Sequence, residues 1–556
     1  MSRSMPTDPT QTLGQVNRRA FLRTLGLGGG LAAAGALESL LGPGVRLAHA
    51  ASGDQATLLV GSDLDNIKTM DPGRTIEVTG MMIEKVTYDT LVTFQGEDLR
   101  TPRPRLATAW KVSADGRSTT LTLRPGIKFI SGNPMTSADV KWSFDRILTL
   151  QANTSFLFDG VEAVMAPDPL TVVIQTKAPL PSLVPILSHP GLGILDSKLV
   201  MQNGGDAGPN AKTADHAEPY LNAHSAGTGP FVLTSYVPGQ QLILDRNPQY
   251  WGGASKLQRI VVKHVPDAVT QALQVVRGDL DVATTIGQDQ VAPLRRAPNV
   301  TVKTSPAATT FYILMNNTPE IGGPFSNPKI QQAVRYALDY QGILQIAGPG
   351  AVRMAGVIPT LMPGSLDPKL AATTDIAKAK SLVKESGLTE VRGKFSYSSG
   401  QVSWGIPIDL LAQKIQSDLA AAGIQLQLDG LPIVTSLGLY RGGKDQFGVW
   451  GWAADYPDAT DFLVYAPGRV VGIRAGWPAS ASPAAQKLAA MADAAEAEVD
   501  VTKRIAMLQD FERMLAQVGP YVPLFQPAVP YASGSNIQGL TYNSVWAEDF
   551  YTVRKS

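Results

Sequence analysis

Apolar residues recur along this chain with two different periods, and the switching between them lays out the elements in order. Thr57-Leu58-Leu59-Val60-Gly61 is a short apolar run of the kind a buried strand needs. Val78 to Leu91 has helical spacing. It starts at Thr79-Gly80-Met81-Met82, where unpaired backbone N–H groups give a point able to face a ligand, or simply a helix start. Thr119 to Leu123 alternates as a half-buried strand, and Leu170 to Thr176 reads as another. Between them, Thr136 with Asp139 three residues on makes a capping-box pattern. The helix it opens carries Val140, Phe144, Ile147 and Leu148 on one face. Residues 201–226 are polar and Gly-rich and read as an irregular surface excursion.

Phe231-Val232-Leu233 and Leu242-Ile243-Leu244, joined through Val237-Pro238-Gly239, predict a hairpin. Ile260-Val261-Val262 is a strand, Asp267 opens a helix over 268–277, and Gly278-Asp279 ends it before Leu280-Asp281-Val282. A helix between two strands predicts a βαβ unit and a partly parallel sheet. A second set begins near Thr309, with the apolar strand Phe311 to Met315. Ile408, Leu411, Ile415 and Leu419 mark an amphipathic helix, ended by Gly423 where a left-handed cap is wanted. Ile424 to Leu428 alternates as a strand, and Ile505, Leu508, Phe511 and Leu515 mark a last long helix. Tyr521 to Phe525 is strand-like and is expected to return toward the first half. Two α/β halves result, with one boundary near 305–310 and a second crossing near 525–535. A chain that crosses twice between lobes makes a natural hinge.

Composition narrows the class. The 556 residues exceed one typical domain, and a formal charge of +1 without long charged runs argues against a nucleic-acid partner. The absence of cysteine excludes disulfides, thiolate catalysis, Cys-ligated metal and a Cys-linked lipid anchor. At the N-terminus, Asn17-Arg18-Arg19-Ala20-Phe21-Leu22-Arg23 precedes an apolar Gly/Ala-rich run to Leu41, then Ala48-His49-Ala50. This predicts a twin-arginine-type signal peptide over residues 1–50, cleaved before Ala51. The mature protein is then expected to be periplasmic, soluble and not lipid-anchored.

Chemistry concentrates in Trp450-Gly451-Trp452-Ala453-Ala454-Asp455-Tyr456-Pro457-Asp458, with Asp461 just beyond. After a buried strand, this corner either places an acid among aromatic rings facing a ligand, or packs two tryptophans while aspartates cap the next helix. There is no Gly-x-Ser-x-Gly elbow, no His-Glu-x-x-His and no phosphate loop, which speaks against a hydrolase and against an ATPase. The expectation is a binder, not an enzyme.

Seven motifs in order carry a resemblance. They are Leu123 to Phe129, Thr136 to Val140, Gly227-Thr228-Gly229-Pro230-Phe231, Asn247 to Gly253, Gly278 to Asp281, Ala333 to Asp339 and Trp452 to Asp458. With them the chain resembles the extracytoplasmic solute-binding proteins of ABC importers, in the large family 5 of dipeptide, oligopeptide and nickel binders. The resemblance implies an α/β, two-lobed periplasmic-binding-protein fold of three domains. Domain I would comprise 52–95, 226–306 and 530–556, domain II 96–225, and domain III, the second lobe, 307–529. It implies that Asp455 pairs with a ligand α-ammonium in the interlobe cleft. Trp450, Trp452, Tyr456 and Trp404 are candidate walls, and Thr79 and Met81 candidate contacts from the first lobe. Arg469 and Arg474 are candidate partners for a ligand carboxylate. No cofactor and no metal are expected. The implied partners are a peptide or peptide-like solute, permease subunits with their cytoplasmic ATPases, and the twin-arginine export machinery, with the protein a monomer. A metal chelate, an amine-bearing sugar or an opine stands as the alternative ligand, and an extracytoplasmic hydrolase as the remote one.

Overall fold

The structure is a computed structural model that describes residues 56–556. The predicted signal peptide and its cleavage site lie outside the described residues.

Three sheets organise the chain. The first has seven strands in the order Val300–Pro306, Ala528–Gly534, Val282–Ala283, Thr57–Ser62, Arg259–His264, Gln241–Arg246 and Phe231–Val237. Thr57–Ser62 runs parallel to both Arg259–His264 and Val282–Ala283, and the helix Ala268–Arg277 links those two. The helix starts because the Asp267 side chain accepts from Thr270 N–H, and it ends at Gly278, whose φ of 82° suits a residue without Cβ. The predicted hairpin forms as an antiparallel pair.

A second, antiparallel sheet of four strands orders Ala107–Val112, Ser118–Leu123, Thr171–Thr176 and Val161–Asp168. The helix Ser137–Leu150 covers it. Its capping box is present as predicted, with Thr136 N–H donating to Asp139 Oδ2 at 2.8 Å. Val140, Phe144 and Ile147 are buried against the strands.

The third sheet builds the second lobe, in the order Val352–Arg353, Tyr521–Gln526, Thr309–Met315, Phe447–Ala453, Val391–Ser398 and Ile424–Leu431. Thr309–Met315 is buried along its whole length, as a central strand demands. The helix Ile408–Ala421 lays Ile408, Leu411, Ile415 and Leu419 onto this sheet.

The chain crosses between lobes twice, and the two crossings touch. Pro306-Ala307-Ala308 leads out of the first sheet and Pro527 leads back, with Ala307 N–H donating to Pro527 O at 2.9 Å. The strand Tyr521–Gln526 does not return to the first half. It stays in the second-lobe sheet beside Thr309–Met315, and the next strand, Ala528–Gly534, makes the crossing. The lobes touch one another beside the crossings. Arg100 Nη2 donates to Thr360 O at 3.2 Å, and Met81, Phe94 and Leu99 pack with second-lobe residues in one apolar cluster.

Two further expectations differ. The first helix ends at Thr87, not Leu91, because Tyr88 turns to extended geometry and delivers Asp89 into a buried cluster. Arg105, Thr228, Tyr250 and Trp251 all donate to that carboxylate, at 2.6, 2.8, 3.1 and 2.7 Å. Residues 201–226 are not merely a surface excursion. They hold short helices at Ala211–Ala214 and Glu218–Leu221, and between them Asp215 reaches the fully buried Arg146 at 2.8 Å.

Candidate functional site

The strand Phe447–Ala453 positions the predicted stretch. Its alternation sends Phe447 and Val449 into the core on one face of the sheet, and Trp450 and Trp452 to the other, opposite Tyr312 and Thr310. Trp450 is 6% exposed. Its Nε1–H donates to Asp445 at 2.7 Å, and its ring stacks on Tyr440 at 4.2 Å. Tyr440 in turn shares a 2.6 Å hydrogen bond with Tyr312. Trp450 is thus a packed layer beneath the surface, while Trp452 is half-buried above it.

Beyond Ala453 the chain leaves the sheet, and Ala454 N–H ties it to Ala308 O, at the crossing, at 2.8 Å. The Asp455 loop therefore sits against the hinge. Asp455 N–H donates to Asp461 Oδ2 at 3.1 Å, and Trp452 Nε1–H reaches the same oxygen at 3.4 Å. Asp458 caps the short helix Ala459–Tyr465 through Thr460 N–H at 2.9 Å and pairs with Arg504 at 2.8 Å.

The electrostatics follow from burial. Desolvation pushes the Asp455 carboxyl up to about 6, opposed by the positive charge of Arg474. Asp461 is raised well above the usual carboxylate range, by burial first and by the charge of Asp455 second. The two carboxyls form a pair in which ionising one opposes ionising the other. The Arg474 guanidinium lies 4.6 Å from the Tyr440 ring centre and 5.6 Å from that of Trp452. A half-buried carboxylate of this kind can accept a short, charge-assisted hydrogen bond from an ammonium.

The remaining candidates separate. Arg469 is held by Asp493 and Glu496, both at 2.7 Å. Tyr456 crosses to the first lobe and packs on the four-stranded domain's core. Thr79 and Trp404 line a cavity of about 230 Å³ in the cleft, with Asp63, Thr284 and Glu548. Met81 is buried in the cluster that includes Trp450, and its neighbour Met82 lines the cavity. Trp404 has a φ of 51°, in the left-handed region that a bulky side chain avoids. Its ring meets Phe311 edge-on and lies over Gly451, joining the cavity to the Trp450 strand. Asp63, Asp65 and His264 bring possible metal-ligand atoms within 4.8 Å of one another. However, the turn already uses them: Leu64 N–H donates to His264 Nδ1, and Asp65 N–H and Asn66 donate to Asp63.

Sequence reasoning missed two residues here. It placed Asp461 only just beyond the Trp450 stretch, without a ligand role, and it left Glu548 unmentioned because that residue is 93 positions downstream of Asp455 in sequence number, in a strand of three residues. No local pattern marks either one.

Residues 101–468, more than half of the chain, match the family described as bacterial extracellular solute-binding proteins, family 5 Middle. The chain belongs to that family. It is 28% identical over 520 residues to the probable D,D-dipeptide-binding periplasmic protein DdpA of Escherichia coli K12, covering 92% of this chain and 96% of that protein. It is also 28% identical over 480 residues to di/tripeptide-binding protein 2 of Pseudomonas aeruginosa, covering 81% and 86%. Among solved structures, HbpA2 of Haemophilus parasuis superposes with a TM-score of 0.77 at 22% identity, over 90% of this chain and all of that one. DppA of Helicobacter pylori, in complex with the peptide STSA, gives 0.70 at 22% identity, over 90% and 98%. The two-lobed α/β fold is therefore that of the family 5 binding proteins. Among the described residues, no helix of this family 5 protein is long and apolar enough to cross a membrane.

Proposed function

We propose that this family 5 protein captures a peptide-like solute between its lobes and delivers it to a membrane permease served by cytoplasmic ATPases. The observation that carries the reading is the Asp455 carboxylate. It is half-buried, set against the hinge, linked to Trp452 through the shared Asp461 oxygen and raised by desolvation to about 6. A ligand α-ammonium placed there restores the charged form and gains a desolvated ion pair. The peptide-binding names of two relatives support the same ligand class. The three sheets support the division of the chain into 52–95, 226–306 and 530–556, then 96–225, then 307–529. The protein acts as a binder without catalysis, as a monomer, exported by the twin-arginine route to the periplasm without a lipid anchor.

Titration calorimetry with a dipeptide and tripeptide set, each free and N-acetylated, tests the site. Free-amine peptides should bind, acetylation should weaken them, and Asp455→Asn should cost at least about tenfold in affinity. Equal affinity in wild type and variant sinks the role given to Asp455. Mass spectrometry of solute carried through native purification tests the ligand class directly.

A further inference from the structure

The cleft holds a second carboxylate that the α-ammonium site does not use. Glu548 sits on the strand Ala547–Asp549 at the C-terminal end of the first lobe and is 2% exposed. It lines the 230 Å³ cavity together with Thr79, Asp63, Thr284, Thr285 and Trp404. Burial is the main influence on its carboxyl, and no Lys or Arg among the described residues forms an ion pair with it. The cavity lining contains two carboxylates and no cation. Asp63 is engaged by the turn at Asp65 and Asn66, which leaves Glu548 as the open acceptor.

A buried carboxylate without a partner is costly, and structures pair such groups or leave room for what will pair them. Here the room is present. The volume falls below the 300–1,000 Å³ of a typical whole-ligand pocket, so it suits one extended side chain. Trp404 forms the second-lobe wall, held at a φ of 51° that a bulky residue adopts only when its surroundings force it. An indole and a carboxylate lining one cavity suit an alkyl stem ending in a cation, because the stem can pack on the ring while the head meets the acid. The hydroxyls of Thr79, Thr284 and Thr285 give further acceptors for its N–H groups.

Resting on the peptide reading above, we infer that this cavity is a specificity pocket for a basic side chain, with Glu548 pairing the lysine ammonium or arginine guanidinium of the ligand. Because Trp404 comes from one lobe and Glu548 from the other, such a side chain also bridges the closure.

Calorimetry with tripeptides carrying Lys, Arg, norleucine or Glu at each position in turn tests this. A Lys or Arg peptide should bind at least about tenfold tighter than its norleucine counterpart at one position. In Glu548→Gln, whose fold is checked by its melting curve, that ratio should collapse to under about twofold. If neutral peptides bind wild type as tightly as basic ones, the inference is overturned, and this comparison needs no variant. If the preference for Lys and Arg persists in a folded Glu548→Gln, it is overturned too. If no tripeptide of any charge binds, the peptide reading itself fails. The thermal shift with agmatine and cadaverine then decides the pocket. A shift in wild type that Glu548→Gln abolishes supports a cation site, and no shift overturns it.

Discussion

At the scale of single residues, burial of carboxyl groups dominates the chemistry of this protein. Asp455 is raised to about 6 chiefly by desolvation. Below that pH it is neutral and offers an ammonium no charge. Affinity for a free-amine peptide should therefore be greatest near pH 7, where Asp455 is charged and the peptide amine still protonated, and fall as pH drops through about 6, by up to about tenfold per unit. Calorimetry across that range checks it, and the dependence should vanish in Asp455→Asn. Glu512 shows the structural counterpart. Its carboxyl accepts from Ile358 N–H at 2.7 Å and Leu366 N–H at 3.0 Å, and burial pushes it up to about 8 from 4.5. The folded form favours the protonated group. Its stabilising contribution is complete below about 4.5 and is lost as pH rises through about 8. Glu512→Gln should consequently gain on wild type in melting temperature as pH climbs through that window. A constant difference across the window would contradict this.

At the scale of elements, the motifs that made the family legible serve the fold more than the ligand. Gly227-Thr228-Gly229 runs directly across the end of the first helix. A methyl group on Gly229 would lie 2.5 Å from the Thr87 carbonyl carbon. Thr228 and the Tyr250-Trp251 pair converge on Asp89. Gly229→Ala should cost about 1–3 kcal/mol of stability in chemical denaturation, with little change in Kd if the lobes keep their form. The Arg146 cluster ties together distant segments of the first lobe in the same way. Arg146 is fully buried and makes paired bonds to Asp71, at 2.8 and 2.6 Å, and to Asp215, at 2.8 and 2.9 Å. Arg146→Leu leaves two buried carboxylates with Arg74 as their remaining cation and should cost about 3–5 kcal/mol. Capping boxes, the helix over 268–277 and the hairpin were readable from the sequence because each is fixed by neighbours within a few residues. The helix end at Thr87 and the packing of 211–221 were not. Asp89 and Asp215 are held by partners tens to more than a hundred positions away.

At the scale of the whole molecule, two adjacent crossings joined by the Ala307–Pro527 hydrogen bond make one hinge between lobes that touch beside it, and a closed form is the one able to enclose a ligand. A ligand that touches both lobes favours this form only through its differential affinity for it. Small-angle scattering should therefore show a smaller radius of gyration with saturating peptide than without, and Asp455→Asn should need more peptide to reach it. The order of elements, the two α/β halves, the place of the crossings and the strand that ends in the Trp450 stretch were all readable from the residues alone. Those depend on local periodicity, caps and motif order, which a linear text carries. That Trp450 packs beneath while Trp452 faces outward emerged only from the packing of the folded chain. That packing alone set Asp461 and Arg474 beside Asp455, and closed Glu548 and Trp404 around a common cavity. Desolvation and charge pairing act through space, and no spacing along the chain encodes which distant groups will share a dry pocket.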